Sequence, residues 1–217
     1  MSIRAILFDF DGTLADSFDA ITASVNHVRA LHRLPLLSMT QVKPYVGFGL
    51  PHLLEQLIPG GNVVDCVAAY RQHHRTVFLE MTRLYSDVQA TLVRLHQSGY
   101  KMAVCSNKLA TFTRPLLQAL GVGECFPVVL GPDDVPQPKP APDMLIAALR
   151  AIGASSNEAV YVGDMSVPVG TIHAAGMPAW IVPTGTQSQE VLKSHRPDRL
   201  LESFGQLPDL LANAANS

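Results

Sequence analysis

Two carboxylates, Asp9 and Asp11, stand one residue apart in the stretch I-R-A-I-L-F-D-F-D-G-T-L-A-D-S, residues 3–17. The apolar run Ala5-Ile6-Leu7-Phe8 stops at Asp9, and Gly12 and Thr13 follow as a turn signal. That pattern reads as a buried strand giving way to a loop. Crowded carboxylates repel each other unless a cation or a shared proton offsets their charge, and oxygen-only donors favour Mg²⁺. Three other groups with chemical potential also follow apolar, strand-like runs. They are Ser106 (with Asn107) after K-M-A-V-C, Lys139 in the Pro-rich loop after Pro127–Leu130, and Asp164 after A-V-Y-V-G. Taken singly, each has an ordinary explanation: a turn, a helix N-cap, a solvated lysine.

The elements that position these groups follow from periodicity. Residues 16–82 read as helices: Ile21, Val25 and Val28 share one helical stripe, and Leu50, Leu53, Leu54, Leu57 and Ile58 another. Pro59-Gly60-Gly61 breaks the second helix, and a third runs from about Val63 to Met81. From Ser86 onward helices and strands alternate, with strands at Lys101–Cys105, Pro127–Leu130, Ala159–Val162 and near Ala179–Val182. Such alternation predicts a doubly wound parallel sheet covered by helices on both faces. Residues 1–15 and 84–217 then form an α/β core, and 16–83 an inserted helical unit hinged near Leu14–Ser17 and Arg83–Ser86. In a parallel sheet the carboxyl ends of all strands lie on one edge, so Asp9, Asp11, Ser106, Lys139 and Asp164 are expected to converge there.

Composition narrows the partners. The chain has 217 residues, 47% of them hydrophobic, and a formal net charge of −2. No global pull toward nucleic acid or an anionic membrane is expected. No apolar window approaches the ~20 residues of a membrane span, and no signal peptide is visible. Cys66, Cys105 and Cys125 lack C-x-x-C spacing and read as buried free thiols in a reducing, cytoplasmic setting.

D-F-D-G-T-L resembles the first signature of the haloacid dehalogenase (HAD) superfamily of phosphohydrolases, and the later segments extend the likeness. V-C-S-N-K resembles its second motif, Q-P-K-P-A-P its third, and Y-V-G-D the start of its fourth. The resemblance implies a Rossmann-like core with an α-helical cap that closes over the site and carries much of the substrate choice. It implies Asp9 as nucleophile, Asp11 as general acid and base, and Ser106, Asn107 and Lys139 as phosphate-binding groups. Mg²⁺ is implied at the Asp9 side chain, the Asp11 backbone carbonyl and the Asp164 side chain.

The loop Tyr45-Val46-Gly47-Phe48-Gly49 resembles the cap loop of phosphoglycolate phosphatase-like members, which makes Gly47, Phe48 and Gly49 specificity candidates. Lys43, His52, Arg71, His73, His74 and Arg75 are further possible substrate contacts, though most helix-surface charges are merely solvated. The chain departs from the family at Pro168, where the fourth motif usually has a second acid. Losing such support typically costs ~10–100-fold in metal affinity or activity, so weak Mg²⁺ binding and slow turnover are expected.

The expected function is Mg²⁺-dependent hydrolysis of a small phosphorylated metabolite by a monomer or homodimer. The rivals are a β-phosphoglucomutase-like phosphomutase and a weakly active or inactive phospho-ligand-binding homologue. A 2-haloacid dehalogenase is disfavoured, because that chemistry needs neither Asp11 nor Mg²⁺.

Overall fold

The computed structural model describes residues 3–164, 169–185 and 187–215. Strand β1 (Ala5–Phe8) leads into a two-residue strand β2 (Ala15–Asp16). Helices α1 (Phe18–Leu31), α2 (Met39–Val42), α3 (Leu50–Leu57) and α4 (Val63–Val77) follow. The chain returns through β3 (Arg83–Leu84) and α5 (Val88–Gln97) to β4 (Lys101–Cys105), α6 (Ala110–Ala119), β5 (Val128–Leu130) and α7 (Asp143–Ile152). Next come β6 (Ala159–Gly163), α8 (Val169–Ala174), β7 (Ala179–Ile181), α9 (Gln189–Ser194), β8 (Arg199–Leu200) and α10 (Leu207–Ala215).

The main sheet has the order β5-β4-β1-β6-β7-β8, and every neighbouring pair is parallel. It is the expected doubly wound α/β fold. All four β1 residues are fully buried because helices cover both faces. Side-chain alternation divides them: Ile6 and Phe8 join the layer holding Val104, Phe126 and Phe204, while Ala5 and Leu7 join the layer holding Leu145, Tyr161 and Ile172. Burying each such large apolar side chain contributes about 1.5–3 kcal/mol, and this central packing fixes where the strand ends lie.

The helices between β2 and β3 have an apolar cluster of their own. Phe18, Ile21, Val25 and Val28 of α1 meet Leu53, Leu54 and Leu57 of α3 and Cys66 and Tyr70 of α4. Asn62 caps α4 by accepting from the backbone N–H groups of Val64 and Asp65. The segments entering and leaving this block pair antiparallel, Ala15 with Leu84 and Asp16 with Arg83. Periodicity could not reveal that two-residue ladder, nor the short edge strand β8, since neither holds enough residues to show a period. All three cysteines are buried and free, as expected. Pro168 lies outside the described residues.

Candidate active site

β1, β4 and β6 are adjacent, so Asp9, Ser106 and Asp164 leave the sheet side by side. Asp9 N–H donates to Val162 O at 3.0 Å, extending the ladder one residue past β1. The Asp9 side chain is buried and closely held. Its Oδ1 accepts from Phe10 N–H at 2.8 Å, and its Oδ2 accepts from Lys139 Nζ at 2.8 Å and Tyr161 Oη at 3.2 Å. Lys139 Nζ also donates to Cys105 O (2.8 Å) and Tyr161 Oη (2.9 Å), so all three of its protons are engaged. The Lys139–Pro140 peptide bond is cis. Burial, and then the Asp9 charge, holds the Tyr161 hydroxyl far above its ordinary pKa, so it remains a donor. Burial likewise pushes the Cys105 thiol up to about 12, which makes it a packing group.

Asp11 faces the same cleft. It accepts from Ser17 Oγ and forms an ion pair with Lys108, whose Nζ lies 3.2 and 3.5 Å from the two carboxylate oxygens. Ser106 Oγ, also buried, accepts from Lys108 N–H at 3.3 Å. Asp164 sits between two glycines. A Cβ at Gly12 would come within 2.2 Å of Asp164 Oδ2, and one at Gly185 within 1.9 Å. Gly12 also has φ +80°, a conformation that favours glycine. Thr184 Oγ donates to Gly12 O at 2.6 Å, tying the loop after β7 to the turn after β1.

The cleft has a free volume of about 60 Å³ and is lined from the core by Asp9, Asp11, Ser106, Asn107, Lys108, Leu109 and Phe112. Opposite lie Ile21, Tyr45, Val46, Gly47, Gly49, Leu50, Leu53, Tyr70 and His74 from the helical block. Gly47 and Gly49 thus line the cleft, whereas the half-exposed Phe48 ring packs near His52 outside it. Asn107 joins the two sides. Its Nδ2 donates to Gly47 O at 2.9 Å and to Lys139 O at 2.8 Å. Both amide protons face protein carbonyls, so the side chain serves as a strut between the two sides.

Of the six charged or aromatic helix residues considered from sequence, only His74 lines the cleft. Lys43 stacks over the Phe18 ring at 4.4 Å, and Arg71 and Arg75 are exposed. Three cleft-side residues were not anticipated: Tyr161, Lys108 and Tyr70. Lys108 directly follows Ser106-Asn107, so its position after β4 was the available signal. Tyr161 could have been suspected from Gly163, since a Cβ there would lie 2.7 Å from the tyrosine ring.

The model of the haloacid dehalogenase-like hydrolase family matches residues 6–182. The chain belongs to the haloacid dehalogenase-like hydrolases. This hydrolase is 31% identical over 216 residues to a plasmid-borne phosphoglycolate phosphatase of Cupriavidus necator, covering 97% of this chain and 94% of that one. It is 30% identical over 211 residues to the pyrophosphatase PpaX of Halalkalibacterium halodurans, covering 97% and 96%. A haloacid dehalogenase-like family hydrolase from Streptococcus pneumoniae superposes with a TM-score of 0.84 at 20% identity, covering 97% and 98%, and shares its fold. Among the described residues, no helix is long and apolar enough to cross a membrane.

Proposed function

We propose that this hydrolase is a Mg²⁺-dependent phosphatase of small phosphate monoesters, working through an aspartyl-phosphate intermediate, with residues 16–83 acting as its cap. The observation that carries the reading is the meeting of Asp9, Asp11 and Ser106 in one cleft, with Lys139 bonded to Asp9 beneath it. The names of the relatives, phosphoglycolate phosphatase and pyrophosphatase, support phosphoester chemistry.

An Asp9 oxygen attacks phosphorus, forming an O–P bond as the bond to the leaving oxygen breaks. Asp11, which must be protonated when the ester is bound, gives that proton to the departing alkoxide. Asp11 then takes a proton from water, which attacks the aspartyl phosphate, releases inorganic phosphate and restores Asp9. An anionic nucleophile meeting an anionic phosphate makes charge neutralisation the dominant requirement. Lys139 offsets Asp9, Lys108 holds Asp11 in place, and the Ser106 hydroxyl is available to a phosphoryl oxygen.

Among the described residues, no cluster of three or more His, Cys, Asp or Glu side chains is grouped for a metal. The donor set nevertheless suits Mg²⁺, which commonly binds one or two carboxylates and keeps several waters. Asp9 and Asp164 supply the carboxylates, the Asp11 carbonyl a further oxygen, and the two glycines beside Asp164 leave that acid its space. When bound, the cation neutralises phosphate charge. The three buried free thiols support a reducing, cytoplasmic setting.

Phosphate release from 2-phosphoglycolate, pyrophosphate and p-nitrophenyl phosphate, with and without Mg²⁺, tests the proposal. Release is expected to need Mg²⁺ and to fall at least about 10³-fold in Asp9→Asn, the scale of losing an activated nucleophile. Equal release by Asp9→Asn would overturn it. Pro168 favours a second reading, a phospho-ligand-binding homologue. Ester binding with no turnover at saturating Mg²⁺ would establish that one instead. Release of phosphate without isomerised sugar phosphate separates hydrolysis from mutase chemistry.

A further inference from the structure

Away from its two hinges, the helical block meets the core at few places. The Phe112 ring packs against His74 at 4.9 Å and Phe78 at 5.3 Å between ring centroids, both near the C-terminal end of α4. Among the described residues, a single hydrogen bond joins residues 18–81 to the α/β core. It runs from Asn107 Nδ2–H to Gly47 O at 2.9 Å. Gly47 and Gly49 have φ +103° and +93°, so the loop follows a path that side chains disfavour, and that path carries the Gly47 carbonyl to Asn107.

The other proton of the same amide group goes to the core. Asn107 Nδ2–H donates to Lys139 O at 2.8 Å, and the Lys139 ammonium holds Asp9. One side chain thus ties the loop over the cleft to the residue that offsets the nucleophile's charge. It also stands between two spaces. The cleft of about 60 Å³ and an outer groove of about 470 Å³ share Gly49, Leu50, Asn107 and Leu109, so these residues form the wall between them. Two of the four belong to the helical block and two to the core. The groove lies beyond that wall, between the exposed Phe48 and Arg71 on one side and the exposed Pro138 on the other. Moving the block away from the core would part the wall and merge the two spaces.

We propose that Asn107 is the latch of the cap: while its amide holds Gly47 O and Lys139 O the cleft is sealed around a small ester, and release of Gly47 O opens the cleft into the groove. The inference rests on the reading of residues 16–83 as the cap of a phosphatase, and adds the residue that holds that cap shut. Asn107 acts here as a positioning residue. Closure completes the walls around the leaving group, which helps the reaction only when that group is small enough to be enclosed.

Asn107→Leu keeps the size of the side chain and removes both donors. Two esters are compared by kcat/KM with the full chain and Mg²⁺. One is 2-phosphoglycolate, whose leaving group is small. The other is p-nitrophenyl phosphate, whose ring has no room in a closed cleft of about 60 Å³ and reacts with the cap open. The small ester should lose about 10-fold more than the nitrophenyl ester, the scale of one hydrogen bond. A contact to the phosphoryl group, or a merely structural role, would act on both esters alike. Equal losses, or no loss for either, therefore overturn the inference.

Hydrogen–deuterium exchange reads the latch without turnover. Amides of residues 46–53 should exchange about 10-fold faster in Asn107→Leu, measured relative to the amides of β1. An unchanged ratio of loop to strand exchange overturns the latch whether or not an ester is hydrolysed. Faster loop exchange with no phosphate released from either ester, by the native chain as well, leaves the tie between block and core standing and ends the phosphatase reading.

Discussion

The cleft has a floor and a roof built on opposite principles. On the floor the lysines are paired with acids: Lys139 with Asp9 at 2.8 Å, both buried, and Lys108 with Asp11 at 3.2 Å, both partly buried. The roof is largely apolar, and its polar members, His74 and Tyr70, are held uncharged by burial. A charged floor suits a reaction in which negative charge moves between oxygens. A neutral roof suits discrimination by shape and hydrogen bonds. Asn107 belongs to both, since one side-chain nitrogen bonds the Gly47 carbonyl of the roof and the Lys139 carbonyl of the floor.

The sharpest way to break this contrast is to remove a floor cation. Lys139→Met leaves Asp9 buried without its ammonium partner. Breaking a buried pair from one side typically costs about 3–5 kcal/mol. A matching loss in denaturant-derived stability is expected, with turnover reduced at least about 100-fold. Near-wild-type stability would mean that the Asp9–Lys139 pair is not what holds the floor together.

A subtler change acts through Asp164. Gly185→Ala would place a methyl 1.9 Å from Asp164 Oδ2, so the carboxylate must move. If Asp164 holds Mg²⁺, the concentration needed for half-maximal activity should rise about 10–100-fold, the usual scale for disturbed metal support. An unchanged Mg²⁺ titration would remove Asp164 from the metal's neighbourhood.

Floor and roof were also unequally legible. Asp9, Ser106 and Asp164 could be placed from sequence because each follows an apolar strand, and parallel strands deliver their ends to one edge. Lys139 was legible through its proline-flanked motif. The roof gave less away. His74 and Tyr70 lie on a helix whose apolar stripe also serves the helical block's own packing, and helical spacing alone does not tell a residue facing a cleft from one facing a neighbouring helix. The Asn107 strut joins residues 60 positions apart, and no local pattern encodes such a contact. Tyr161 looked like an ordinary strand residue until its hydroxyl was seen beside Lys139.

The smallest expected effect concerns the roof and acid. His74 has an ordinary pKa of 6.5, which burial lowers to about 3 in the folded chain. Between those values the unfolded chain binds a proton there that the folded chain does not. Stability therefore rises with pH across that window and is lost as pH falls from 6.5 toward 3. At about 1.4 kcal/mol per pH unit, the loss between pH 7 and pH 5 is roughly 2 kcal/mol. His74→Leu removes this group, so its stability should fall less over the same interval, measured by urea unfolding at both pH values. Parallel losses in the two proteins would mean that His74 titrates in the folded chain as it does in the unfolded one, near 6.5. The roof would then gain a charge below that pH, and its contrast with the floor would hold only above it.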